Sequence, residues 1–277
     1  MNCAKRFFFT ALFAFAGACS HAGEEVFAVT AIGPQAGRLV RIDLDSGALE
    51  HVGPAGMGAG VSNAVDLAAR PSDGELFLDS NSGASSLFRV DRQTGLATPL
   101  VGASVQNGLV FDNNDRLYTQ LSPDSIDATG PLALLDIATG QSTPLGGPPL
   151  PRLFGMAFNR MDQLIYAITA DGNSLFKLEL DGSIHTVLPT GIGGVAGALV
   201  FRRDNRLVAS NLNGQLIDID TVTGAVSNPR SIQGGFPVQG MAMMIPEPAG
   251  ILLAAFGIAT CTGWRRRNNS HELTRAV

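Results

Sequence analysis

The sequence predicts an all-β chain built around a five-bladed β-propeller, and three observations carry that prediction. A turn of the form Asp-x-x-Ser/Thr-Gly recurs at Asp43–Gly47, Asp91–Gly95, Asp136–Gly140 and Asp220–Gly224, with the shorter Asp181-Gly182 between the last two. Their glycines are spaced 48, 45, 42 and 42 residues apart. Short apolar runs with strand character flank each turn, and no stretch carries the 3.6-residue periodicity of an amphipathic helix, which counts against a βαβ fold. Four short strands in a period of about 45 residues describe a propeller blade. Six blades is the alternative count.

Taken in order, residues 1–22 read as a signal peptide. Lys5 and Arg6 precede the apolar run Phe7 to Ala16, and Ser20-His21-Ala22 supplies small residues for cleavage after Ala22. Cys19, preceded by Ala16-Gly17-Ala18, offers lipidation as an alternative. The propeller is expected over 24–245. Its first repeat begins with the strand Glu24 to Val29, continues with Leu39–Ile42 and reaches the turn Asp43–Gly47. The second runs through Asp66–Ala69, a turn at Pro71–Gly74, Leu76–Leu78 and Leu87–Val90. The third has Gly108–Phe111, the polar turn Asp112–Arg116, Leu117-Tyr118 and Leu132–Leu135. The fourth has Gly155–Phe158, Asn159–Gln163, Leu164–Tyr166 and Leu175–Leu178. The fifth has Ala198–Phe201, Arg202–Arg206, Leu207-Val208 and Leu216–Ile219. Glycine in the Asp-x-x-Ser/Thr-Gly turn supplies the positive φ of a bulged hairpin. The first repeat lacks a leading strand, and one stands alone at the end, Gly240–Met243. That strand is expected to join the first blade and close the ring, removing exposed sheet edges.

After the propeller come Pro246-Glu247-Pro248, an apolar run from Ala249 to Trp264, Arg265-Arg266-Arg267 and a polar tail, 268–277. As a helix the apolar run spans about 24 Å at roughly 1.5 Å per residue, short of a bilayer core of roughly 30 Å. The arginines should remain cytoplasmic, with the body across the inner membrane. The order of motif, apolar helix and arginines over 246–267 resembles the PEP-CTERM sorting signal of exopolysaccharide-producing Gram-negative bacteria. The resemblance implies recognition by an exosortase and cleavage near Pro246-Glu247-Pro248, hence transient membrane anchoring followed by release to the cell surface or the extracellular matrix. The tail 268–277 departs from it. The body loosely resembles the NHL and YVTN repeat families of exported propellers.

Cysteine and charge narrow the chemistry. Cys3, Cys19 and Cys261 all lie in the targeting segments, so the body has no disulfide, thiolate nucleophile or cysteine metal site. Residues 23–245 hold 13 basic and 22 acidic side chains, a net charge of −9, which argues against nucleic acid and anionic membranes as partners.

Five-bladed propellers include glycosidases, which need two carboxylates across the scissile bond. Aligning the innermost strands places Asp66, Gly108, Gly155, Ala198 and Gly240 at equivalent positions, preceded by Val65, Asn107, Phe154, Gly197 and Gln239. One carboxylate among ten residues makes no catalytic pair, and the small residues fit strands crowding near the axis. Asp66, Asn107 and Gln239 are the candidate channel ligands. His51 and His185, the body's only histidines, are expected at the surface near outer strands, and Asp112-Asn113-Asn114-Asp115 is expected to be a hairpin turn rather than a calcium site. No metal or cofactor is expected. The glycine- and proline-rich stretches Gly53–Gly60, Gly146–Pro151 and Gly191–Gly194 read as inter-blade linkers on one face. The expected function is a non-catalytic exported propeller, structural or ligand-binding, whose partners are exosortase and exopolysaccharide or surface proteins. The alternatives are a hydrolase or lyase acting on extracellular polysaccharide, and a surface lipoprotein held through Cys19.

Overall fold

The structure, a computed structural model, describes residues 24–244 apart from 31–35, 54–56, 59–60, 62–63, 81–86, 101–105 and 122–128. The signal peptide with Cys19, and the sorting segment with Pro246, Glu247, Pro248, Arg265, Arg266 and Arg267, lie outside the described residues. So does the apolar run 249–264. Among the described residues no helix is long and apolar enough to cross a membrane.

Among the described residues twenty strands form five four-stranded antiparallel sheets, and the count is five blades. Blade one combines β1 (Val26–Thr30), β2 (Leu39–Ile42) and β3 (Leu49–His51) with the last strand of the chain, β20 (Val238–Met243). Blade two is β4 (Ala64–Ala69), β5 (Leu76–Ser80), β6 (Leu87–Val90) and β7 (Ala97–Pro99). Blade three is β8 (Gln106–Phe111), β9 (Leu117–Leu121), β10 (Leu132–Leu135) and β11 (Ser142–Pro144). Blade four is β12 (Leu153–Asn159), β13 (Leu164–Thr169), β14 (Ser174–Leu178) and β15 (Ile184–Pro189). Blade five is β16 (Ala196–Phe201), β17 (Leu207–Asn211), β18 (Gln215–Ile219) and β19 (Val226–Ser231). The innermost strands β20, β4, β8, β12 and β16 pack each against the next around a closed ring.

The expected clasp is present. β20 pairs antiparallel with β1 from Val26↔Met243 to Thr30↔Val238, and Met244 N–H donates to Glu25 O at 2.8 Å. Side chains reinforce the junction of blades five and one. Leu49 N–H donates to Gln233 Oε1 at 3.0 Å while Gln233 N–H donates to Gly47 O at 2.8 Å, so one glutamine covers the free edge of β3. Arg202 pairs with Glu24 at 2.8 Å, and Arg230 Nε donates to Leu44 O at 2.8 Å.

Each blade buries apolar side chains against both neighbours, so the core is five clusters in the five gaps between blades. Phe27, Val29 and Leu39 meet Leu67, Leu78 and Phe88 between blades one and two. Val40 and Ile42 meet Val208 and Leu216 between blades one and five. The same arrangement fills the gaps of blades four and five, three and four, and two and three. Because both faces of a blade are covered, the second strands β1, β5, β13 and β17 are buried at every residue, while the outermost strands are largely exposed.

The turns follow the expectation. In each Asp-x-x-Ser/Thr-Gly turn the aspartate Oδ1 accepts two main-chain N–H groups, as Asp91 does from Gln93 and Thr94 at 2.8 Å each. Gly95 has φ +72°, and Gly47, Gly140, Gly182 and Gly224 match it. The outer edges are blunted by proline at one register. Leu100, Leu145 and Thr190 each donate N–H inward, to Leu87, Leu132 and Asn173, so the preceding Pro99, Pro144 and Pro189 fall where an N–H would point outward unpaired. Removing that donor denies an incoming strand its ladder.

Candidate functional site

The site to be tested is the axial channel, where the innermost strands converge. Each of these strands carries a register shift near its start: Ala64/Asp66, Asn107/Leu109, Leu153/Gly155, Ala196/Leu199 and Val238/Gly240. Bulges of this kind re-aim side chains and bend a strand. The glycines below them exist because the strands nearly touch. A Cβ on Gly155 would lie 2.7 Å from the Ala198 carbonyl carbon, and one on Gly240 would lie 2.7 Å from that of Asp66. The small residues at these positions are thus explained by crowding at the axis, as expected. Gly240→Ala should destabilise the domain by about 3 kcal/mol, the upper end for overpacking. In urea unfolding, Gly146→Ala, whose Cβ meets nothing within 4 Å, serves as the unchanged control; equal midpoints for the two variants would refute the crowding.

Asp66 is 1% exposed and does not face solvent in the channel. Its Oδ1 accepts Leu67 N–H and its Oδ2 accepts Leu109 N–H, both at 2.8 Å, and Met156 N–H also favours its charged form. The two hydrogen-bond donors, Leu67 and Leu109, come from blades two and three, so the carboxyl fastens the two blades at the axis. Sequence alignment gave Asp66 no acidic neighbour. The structure supplies one. Asp79 on β5 is its Cα partner across the β4–β5 ladder, and it too is 1% exposed. Directly opposed residues share a face, with Cβ atoms roughly 4.5–5.5 Å apart. Asp79 Oδ2 is buried with no hydrogen-bond partner. Burial pushes both carboxyls well above the usual carboxylate range; at Asp66 the main-chain donors oppose that shift and Asp79 adds to it.

Asp79 lies on a second strand, outside the innermost positions that the alignment of leading strands compares. A signal existed three residues after the leading leucine of the second strand, where Asp79, Gln120 and Ser210 align. Each of the latter two fastens its blade to the next. Gln120 Oε1 accepts Leu153 N–H at 2.8 Å and its Nε2 donates to Leu150 O and Pro151 O at 3.0 and 2.8 Å. Ser210 Oγ accepts Ala198 N–H at 2.8 Å and donates to Val238 O at 2.7 Å.

Asn107 and Gln239, the other two candidates, sit at equivalent places at the upper end of their strands, with Phe154. Asn107 is buried, and its Oδ1 accepts Arg152 Nε at 3.3 Å. The Arg152 guanidinium lies 5.0 Å above the Phe154 ring. Gln239 is half-buried and its Oε1 has no partner. The structure therefore separates the three candidates: Asp66 is sealed and saturated, while Asn107 and Gln239 share the channel mouth with Arg152 and Phe154, which the sequence did not single out as ligands.

His51 lies on β3 and His185 on β15, both exposed, and His185 Nδ1 lies 2.8 Å from Glu179. Asp112 closes a turn, its Oδ1 accepting Asn114 and Arg116 N–H at 2.8 and 3.0 Å. Among the described residues no group of three acidic, histidine or cysteine side chains could hold a metal ion. The linkers 145–152 and 190–195 connect blades as expected, on the face where the innermost strands begin.

No protein-family model matches the chain, and no curated protein matches it. Solved structures match in fold. A chain of the nidogen/laminin complex is 13% identical with a TM-score of 0.55, over 80% of this chain and 99% of that one. A virginiamycin B lyase from Staphylococcus aureus is 13% identical with a TM-score of 0.46, over 75% of this chain and 70% of that one. A gluconolactonase from Xanthomonas campestris is 17% identical with a TM-score of 0.49, over 76% and 77%. The first of these, at 13% identity, speaks for the β-propeller fold alone.

Proposed function

We propose that this chain is an exported, non-catalytic β-propeller that acts by binding at the cell surface or in extracellular polymer, delivered by its signal peptide and an exosortase. One observation carries the non-catalytic part. Asp66 and Asp79, opposed across the β4–β5 ladder, are each 1% exposed, and Asp66 is bound by main-chain N–H groups. A glycosidic bond has to lie between its acid and its base, and no sugar reaches a pair enclosed within the blade stack. The delivery part rests on the order of Pro246-Glu247-Pro248, apolar run and Arg265-Arg266-Arg267.

The second reading, a hydrolase or lyase acting on extracellular polysaccharide, draws on the same two carboxyls, because they supply the pair such chemistry needs. Their enclosure counts against it. Mass spectrometry of the mature termini tests delivery: the secreted form should begin at Gly23 and end near Pro246. Retention of residues 249–277 would defeat exosortase processing, and a lipid on Cys19 would favour the lipoprotein route. A glycan array and a pull-down from extracellular matrix test binding, and turnover of a bound polysaccharide would overturn the non-catalytic reading.

A further inference from the structure

The geometry points to the upper mouth of the channel as a binding site for a carboxylate-bearing sugar, a uronate unit of a polysaccharide, held by Arg152 and Gln239, with Asn107 positioning the arginine. The inference rests on the binding role above and names its ligand class.

Among the described residues Arg152 forms no ion pair; Arg38, Arg92 and Arg160 form none either, but Arg152 is held at the innermost strands by Asn107 and Phe154. Arg41, Arg70, Arg89, Arg116, Arg202, Arg206 and Arg230 each pair with an aspartate or glutamate. Arg152, half-buried, uses Nε on Asn107 Oδ1 and stacks on Phe154, and among the described residues its two terminal nitrogens bond to nothing. A guanidinium stacked on a ring keeps its in-plane N–H fork available, and that fork matches a carboxylate bidentately. Both supports are placed by the fold. Asn107 begins the innermost strand of blade three, and Phe154 is re-aimed by the bulge of β12.

The same layer leaves amide groups unused. Gln239 Oε1 is buried without a partner, at the position on blade one that Asn107 and Phe154 hold on theirs. An unpaired buried amide oxygen needs a donor that the protein does not supply. A ligand hydroxyl can donate to it and can also accept from the amide nitrogen of Gln239. A carboxylate flanked by hydroxyls is the chemistry of a uronate. Asp66 does not oppose the anion, because it is sealed beneath the mouth and bound to main-chain N–H groups.

Titration calorimetry of the full-length chain with oligogalacturonate, neutral galactan oligomers, acetate and a peptide with a free carboxyl terminus tests the inference. Oligogalacturonate should bind, and the other three should bind at least about tenfold more weakly. Arg152→Gln should weaken oligogalacturonate binding by about tenfold, the loss expected of a bidentate charged pair. Gln239→Glu, which keeps the side-chain shape and sets a like charge beside the ligand, should weaken it comparably and leave the circular dichroism spectrum unchanged. It stands in if Arg152→Gln does not fold. Binding within twofold of wild type in the folded variants overturns the inference, as does no binding of oligogalacturonate, or equal binding of the peptide. Tight binding of the neutral galactan, indifferent to Arg152, overturns it while leaving the binding role intact.

Discussion

A chain lacking residues 238–244 is expected to lose its cooperative fold. β20 is the innermost strand of blade one, supplied from the far end of the sequence, and it packs between β16 and β4. Val238 and Met241 are buried there, and together they contribute roughly 3–6 kcal/mol by transfer alone. Removing the strand also strips β1 of its inner ladder and opens two inter-blade gaps. Domain stabilities are roughly 5–15 kcal/mol, so the loss is comparable with the whole. Thermal melts followed by circular dichroism should show no sigmoidal transition, and limited proteolysis should cut throughout the body. A truncated protein that melts within about 2 °C of the intact one, the shift expected for less than 1 kcal/mol in a domain of this size, would mean that the ring closes without its clasp.

The second large effect concerns the buried acid pair. Asp79 brings a carboxyl into a site where Oδ2 has no partner, beside another carboxyl. Burial raises the folded-state pKa of both above their unfolded value of about 3.9. A raised pKa means that the folded state holds protons more tightly than the unfolded one. Its stabilising contribution is therefore fully present below about pH 4 and is lost as pH rises through the folded-state values. Stability from this pair should fall as pH rises above about 4, opposite to the usual trend of salt-bridged carboxylates. Asp79→Asn, a neutral isostere, should flatten that part of the profile and stabilise the domain by roughly 1–3 kcal/mol at pH 8, the cost of an uncompensated buried polar group. Urea unfolding of both proteins from pH 4 to 8 measures it. Parallel profiles would show that Asp79 is not the proton-holding group.

Much of this architecture was legible because propeller blades repeat local rules. The Asp-x-x-Ser/Thr-Gly turns announce themselves by an aspartate that binds two amides and a glycine at positive φ. β2, β6 and β10 begin and end where the apolar pattern placed them. Even the closure was readable, since the missing first strand and the orphaned last one are a single fact about the order of segments. The acid pair was not legible in that way. Asp66 and Asp79 are thirteen residues apart in the chain and meet only through the β4–β5 register, which includes a bulge. Asn107 was readable as a channel residue from its place on an innermost strand, but its bond with Arg152 was not, because that joins a strand of blade three to a linker of blade four.

The sequence by itself determined the all-β class, the period, the turns and the order of strands, because these depend on contacts within a single blade. Tertiary structure alone decided what the axis is made of. Whether Asp66 faces solvent or the neighbouring blade, whether it has an acidic neighbour, and which arginine meets Asn107 all depend on side chains from different strands and blades converging. Burial and charge pairing are properties of that convergence, and no periodicity along the chain encodes them.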